Sequence, residues 1–255
     1  EAKPTHQVRI QKAHAAAPSW PADAERLLAA CRLTPPGMDA FKLTKVEELE
    51  LKKSHSVALI KKNEDIIYAD AGQLLTRAIS LLENAANTPK QGQSKLLLAL
   101  LVVSGRREVE ILNGRSVFQS ADKGSFYAHF TGQAKTRGKP RPMTIPLLVH
   151  YDLFATALAA FRAMQGDVSM LTNEQISERY QPALSRALKG GALPVICKPH
   201  DLRSIYVALV YESFESPFTM QRTAMVICGH VRLEESLSYG NVRLSGTEAL
   251  AKHGP

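Results

Sequence analysis

Hydrophobic and polar positions along this chain change period once, and that change sets the expected architecture. Over 70–86 the apolar residues Leu74, Leu75, Ala78, Ile79, Leu81 and Leu82 recur at helical spacing, which marks one face of an α-helix. Residues 95–103 are almost wholly apolar and predict a more buried helix that runs out into Ser104-Gly105. Another helix is expected to start over 109–112. The period then becomes two: 125–131 reads as a strand and 143–145 as its partner. Gly138, Pro140 and Pro142 fall in the hairpin loop or on its edge. Helical spacing resumes over 147–164, 173–188, 201–214 and 221–228, where Gly229 stops it. The pattern predicts a mainly α fold with one small antiparallel β-sheet, no internal repeat and no βαβ series.

Upstream of this the pattern weakens. Residues 1–40 carry Pro4, Pro18, Pro21, Pro35 and Pro36 among many alanines. A short helix is expected over 22–32, ended by the paired prolines. Residues 41–62 are highly charged and read either as a solvated surface helix or as a basic linker crossing DNA. Residues 1–62 are therefore expected to be an N-terminal extension and linker, a candidate truncated DNA-binding region. Residues 63–255 are expected to form the folded domain, with its onset near Ile66. The first residue is Glu1 rather than methionine, so the chain is expected to be a piece of a longer protein.

Composition narrows the partners. The 255 residues are 45% hydrophobic, enough for a real core, and the net charge of +8 favours a polyanion. Cys31, Cys197 and Cys228 stand far apart with no zinc spacing, which points to a reducing, cytoplasmic setting and no metal. The longest apolar run, 96–103, is too short to cross a bilayer.

The chemistry lies in a tyrosine and the cations ahead of it. Tyr239 follows Arg107 in Ser-Gly-Arg-Arg-Glu-Val-Glu-Ile, Lys135 in Thr-Gly-Gln-Ala-Lys-Thr, Arg203 in His-Asp-Leu-Arg, and His230 in Cys-Gly-His. A phosphodiester under attack gathers charge on its nonbridging oxygens. Two planar, permanently charged guanidinium groups, those of Arg107 and Arg203, suit that charge. Tyr239 is the candidate nucleophile. A free phenol titrates near 10 and needs cations or a base beside it, and His230 is expected either to donate to phosphate or to help move the tyrosine proton. Lys135 is the candidate general acid for the departing 5′ oxygen. His200 is expected to donate to phosphate from the helical face of Arg203. Glu110, three residues after Arg107, is expected to pin that arginine without touching DNA. Arg137, Lys139 and Arg141 are candidate DNA-backbone contacts, with Arg106 and Arg222 as weaker ones. The bland alternatives are a solvated basic loop around Lys135 and a core or rim role for Tyr239.

Taken in order, these segments resemble the catalytic domain of the tyrosine recombinases. Gly-Arg-Arg, then Gly-Gln-Ala-Lys-Thr with Met-Thr-Ile-Pro, then Leu-Arg-Ser-Ile-Tyr-Val-Ala-Leu-Val-Tyr with Cys-Gly-His and Glu-Ser-Leu-Ser-Tyr, are most similar to the hairpin telomere resolvases, or protelomerases. The likeness covers roughly residues 66–245 and makes 63–255 the catalytic domain. It implies cleavage through a 3′-phosphotyrosyl link and rejoining across the duplex end to give closed hairpins, with no metal or other cofactor. It further implies an inverted-repeat double-stranded DNA target, a homodimer on that DNA, no membrane, and a nucleoid-associated protein of bacterial, phage or plasmid origin. A conventional recombinase that exchanges strands between two duplexes, and a DNA-binding module without turnover, remain as alternatives.

Overall fold

The structure is a computed structural model and describes residues 44–122, 125–134, 142–166, 168–214, 216–230 and 233–252. The helix expected over 22–32 and the basic residues Lys135, Arg137, Lys139 and Arg141 lie outside the described residues. The chain divides into two compact units, Glu1–Ala58 and Leu59–Pro255. Thr44 opens helix α1 (Lys45–Glu64). Its hydroxyl accepts from the Glu47 amide at 3.2 Å, and the Glu47 carboxylate accepts in return from the Thr44 amide at 2.7 Å. This reciprocal cap fixes where the charged run becomes helical. Val46, Leu49, Leu51 and Val57 remain exposed.

The second unit carries the remaining elements. In order they are β1 (Ile67–Asp70), α2 (Ala71–Glu83), α3 (Gln93–Ser104), α4 (Glu108–Leu112), β2 (Val117–Ser120), β3 (Tyr127–Thr131), β4 (Met143–Pro146), α5 (Tyr151–Gln165), α6 (Asn173–Lys189), α7 (Leu202–Ser213), α8 (Met220–Cys228) and β5 (Val242–Ser245). A 3-10 segment, Leu233–Tyr239, links α8 to β5. Helix α3 is buried from Leu96 to Ser104 and packs against α2, α5, α6 and α7. A helix apolar all round can only be satisfied in such a central place.

Among the described residues two small sheets form. Strands β3 and β4 make the expected antiparallel pair, and β2, which was not anticipated, adds a third strand on the other side of β3, with Phe130 opposite Phe118 and Met143. Ala128 and Phe130 point inward, whereas Tyr127, His129 and Thr131 face out, the alternation read from the sequence. The second sheet was not anticipated: β1 pairs in parallel with β5, Ile67 opposite Val242. Asp70 closes β1 and also caps α2, its carboxylate accepting from the Gln73 amide at 2.8 Å. Strand and helix abut, so the expected helix starts one residue late. The helix expected from 147 begins only at Tyr151, because the Leu147 and Leu148 amides are spent on Phe126 and Val103 carbonyls.

Gly105 ends α3 in the left-handed region, at φ 61°. A β-carbon there would lie 2.0 Å from the Tyr206 ring, whose hydroxyl donates to the Pro146 carbonyl at 2.6 Å. Gly105→Ala therefore combines left-handed strain with overpacking and is expected to cost about 3 kcal/mol. Gly114→Ala, where an added β-carbon meets nothing within 4 Å, is expected to stay within about 0.5 kcal/mol. Urea denaturation of both variants measures the contrast.

Candidate active site

The site forms where α3 and α8 end. A helix leaves its last carbonyls without intrahelical partners, and here side chains supply them. Arg203, in the first turn of α7, is 3% exposed. Its Nη1 donates to the Gly105 carbonyl at 2.6 Å and its Nη2 to the Cys228 carbonyl at 2.9 Å. Its Nε donates to the Tyr239 hydroxyl at 3.1 Å. His230 follows Gly229, which turns the chain out of α8 at φ 67°, and its Nε2 lies 2.9 Å from the same hydroxyl. Tyr239, at the end of the 3-10 segment, is 5% exposed.

Arg107 stands at the N-terminus of α4. Its amide donates to Glu110 Oε2 at 3.0 Å, and its Nη1 pairs with Oε1 at 3.1 Å. The same Nη1 donates to the Ala134 carbonyl at 3.1 Å, while the Ala134 amide donates to Glu110 Oε1 at 2.9 Å. Glu110 is fully buried and, as expected, pins Arg107. It also pins the strand end that leads to Lys135.

Arg106, expected to contact DNA, is placed differently: it is 2% exposed. Its Nη2 donates to the Ile227 carbonyl, its Nε to the Ser104 carbonyl at 3.3 Å, and its guanidinium lies 5.1 Å from the Phe130 ring centroid. The adjacent arginines take different partners, and Arg106 becomes a strut between α3, α8 and β3. Arg222 is exposed on α8, and His200 is exposed in the 3-10 turn Pro199–Asp201 ahead of α7.

Two further supports had no distinct signal in the sequence. Arg162 of α5 donates to the carbonyls of Ile111 at 2.9 Å, Asn113 at 3.1 Å and Ser116 at 3.0 Å, closing the end of α4. Gln133 Nε2 donates to the Cys228 and Gly229 carbonyls at 3.1 and 3.2 Å. Gln133 stood inside the lysine motif but carried no role there.

Charge balance follows from this packing. Burial alone would raise the Glu110 pKa, but Arg106, Arg203 and Arg107 outweigh it and hold the carboxylate below its ordinary range. Burial opposes the Arg203 charge, and the neighbouring Cys228, Tyr239 and Glu110 more than restore it, so its pKa is raised. Burial, then the Cys228 sulfur, push the Tyr239 phenol up to about 12 against the pull of Arg203. Cys228 is raised by burial but brought down to about 7 by Arg203, His230 and Arg106. A phenol so placed is protonated at neutral pH, and attack by it requires its proton to leave in the same step. Among the described residues, no group of three or more His, Cys, Asp or Glu side chains is placed to hold a metal ion. No described helix is long and apolar enough to cross a membrane.

Removing the Glu110 charge leaves buried guanidinium groups uncompensated. Glu110→Gln is expected to destabilise the fold by about 3–5 kcal/mol at neutral pH. Because the folded carboxyl titrates below its unfolded value, the stabilisation is present above about pH 4.3 and lost as pH falls through the folded value. Urea melts from pH 7 to pH 3 are expected to show the wild-type advantage shrinking across that lower range.

Residues 65–240 match the family described as the telomere resolvase ResT/TelK catalytic domain. A protelomerase from Escherichia phage N15 is 24% identical over 198 residues, which is 68% of this chain and 30% of that protein. The solved structure of protelomerase TelK complexed with substrate DNA is similar over 80% of this chain and 43% of that one, with TM-score 0.69 and 23% identity. Protelomerase TelA covalently complexed with substrate DNA is similar over 96% of this chain and 83% of that one, with TM-score 0.65 and 19% identity. The chain thus spans less than half the length of the phage protein and of TelK, and shares its fold with both solved structures. With more than half of its length matched by the family, the chain belongs to the telomere resolvase ResT/TelK catalytic domain family.

Proposed function

We propose that this chain cleaves and rejoins DNA through a 3′-phosphotyrosyl intermediate and resolves replicated inverted-repeat junctions into closed hairpin ends. The observation that carries this reading is the Tyr239 hydroxyl, held within hydrogen-bond distance of both Arg203 and His230. Family membership and the likeness to a TelA structure covalently complexed with substrate DNA support it.

In the first step the Tyr239 oxygen attacks the scissile phosphorus and its proton passes to His230 Nε2. Arg203 and Arg107 take the charge that grows on the nonbridging oxygens, where losing one such donor commonly costs about a hundredfold in rate. Glu110 keeps Arg107 oriented. The bond from phosphorus to the 5′ oxygen breaks, and Lys135 supplies the proton that makes this oxygen a hydroxyl. The phosphotyrosyl ester keeps the energy of the cleaved bond, so no nucleotide or metal is consumed. In the second step the 5′ hydroxyl of the opposite strand attacks that ester, Lys135 accepts its proton, and Tyr239 is released as a phenol with a proton from His230. His200, exposed one helical turn before Arg203, is assigned to phosphate contact. Arg137, Lys139, Arg141 and Arg222 are assigned to the DNA backbone.

Cutting both strands of an inverted repeat takes two sites, so a homodimer assembled on double-stranded DNA is part of this reading. Residues 63–255 form the catalytic domain and 1–62 an extension serving DNA binding. A phage or plasmid origin, and a cytoplasmic place on the nucleoid, fit the likeness to a phage protein.

The test is a linear duplex carrying its palindromic target, incubated in chelator and run on a denaturing gel. Snap-back hairpins and a covalent protein–DNA band are expected. Tyr239→Phe is expected to abolish both, with DNA affinity held within about twofold because a phenol contributes little to backbone attraction. Four-stranded junctions without hairpins would instead establish strand exchange between duplexes.

A further inference from the structure

The two halves of the proposed phosphate cradle come from distant parts of the chain; besides the direct Arg203 and Arg106 bonds between them, both are held by one short segment. Arg107 belongs to the half built on α3 and α4. Arg203, His230 and Tyr239 belong to the half built on α7 and α8. Residues 132–134, leaving β3, touch both. Ala134 is held on the Arg107 side through its amide and its carbonyl. Gln133, one residue earlier, reaches the other side. Its single Nε2 spans the Cys228 and Gly229 carbonyls. The Cys228 carbonyl is the one that also receives Arg203 Nη2 at 2.9 Å, and Gly229 directly precedes His230.

The fit leaves little slack. A β-carbon on Gly229 would lie 2.7 Å from Gln133 Nε2, and one on Gly132 would lie 2.7 Å from the Arg115 carbonyl. Ser116 Oγ further holds the Gly132 carbonyl at 3.0 Å. The segment is fixed on its outer side by Ser116, on one inner side by Glu110 and on the other by the carboxamide of Gln133.

We infer that Gln133 is a positioning residue for the two-arginine cradle, setting Arg203 and the His230 turn against Arg107 through the shared Cys228 carbonyl. This rests on the strand-cleavage reading above. The carboxamide suits the task because the N–H groups of its NH2 are aimed at carbonyl oxygens. A carboxylate of the same size would face those oxygens with acceptors alone. Gln133 touches no reacting atom; it acts through the placement of the arginines. Rate is sensitive to that placement, since a displacement on the order of 1 Å can cost about a hundredfold.

The experiment measures the initial rate of strand cleavage under single-turnover conditions for the full chain, with Gln133→Ala, Gln133→Glu and Arg203→Ala as variants. Each is offered an ordinary scissile phosphodiester and a methylphosphonate at the same position, which lacks the nonbridging negative charge the arginines hold. Gln133→Ala and Gln133→Glu are expected to cleave the phosphodiester ~10-fold or more slowly, with DNA affinity within about twofold. On methylphosphonate the defect is expected to shrink below ~3-fold, because charge stabilisation no longer limits the step. A Gln133→Ala rate within about twofold of wild type on phosphodiester overturns the inference. So does a defect of equal size on both substrates, or one matched by lost DNA affinity, which marks general support of the fold. Arg203→Ala separates the two levels of argument. If its defect shrinks on methylphosphonate and that of Gln133→Ala does not, the Gln133 role fails alone. If neither shrinks, the two-arginine cradle itself fails.

Discussion

A guanidinium that has left water must find oxygen, and much of this site follows from that demand. Arg203 is buried almost completely, and a buried charge is tolerable only when hydrogen-bonded and paired. The oxygens it uses are carbonyls at the ends of α3 and α8 together with the Tyr239 hydroxyl. The ends of helices are where carbonyls lack partners and where the helix dipole is negative. One arginine thus draws two helix termini and the tyrosine segment to a common point. Arg106 repeats the device with the Ser104 and Ile227 carbonyls, and Arg162 with those that close α4. Glu110 supplies the opposing charge within this group of cations. The positive cradle is therefore built by the same bonds that terminate the helices.

The electrostatics of the tyrosine follow from its place in that arrangement. Burial and the nearby Cys228 sulfur disfavour the phenolate, and Arg203 only partly offsets them. Two positive groups near a thiol favour the thiolate, so Cys228 draws on the same cations that a phosphate would use. Tyr239 is consequently kept as a neutral donor or acceptor until a reaction can take its proton. The 2.9 Å separation from His230 provides the route. In the reaction proposed above, ionisation of the phenol is tied to bond formation at phosphorus, and a free phenolate is not held in wait.

How much of this the sequence disclosed depends on the distance over which each signal acts. Helices α2, α3, α5, α6, α7 and α8 carry their period in their own residues and were legible to within a few positions. Strand β3 was legible because Ala128 and Phe130 alternate with polar or exposed neighbours. Strands β1, β2, β4 and β5 have four residues each, too few for a period to stand out alone; β4 was legible only as the partner of β3 across the Gly and Pro positions between them, and β1 runs straight into the cap of α2. In the site, Arg203, His230 and Tyr239 were legible as separated motifs that chemistry could join, and the structure brings them into direct contact. The division of labour within Gly-Arg-Arg was only half legible. Which arginine is buried depends on Phe130 and Ile227, neither of which adjoins it in sequence. Arg162 reaches carbonyls up to 52 residues away, and Gln133 reaches 96. No local pattern encodes such reach.

The placement of these long connections bears on the segment that leaves β3. Among the described residues the segment after β3 is held by side chains reaching backbone atoms, Gln133 to α8 and Glu110 to Ala134. Its β-ladder stops at Thr131. Residues 132–134 are thereby set against the arginines on both sides, Ala134 toward Arg107 and Gln133 toward the Cys228 carbonyl that Arg203 shares.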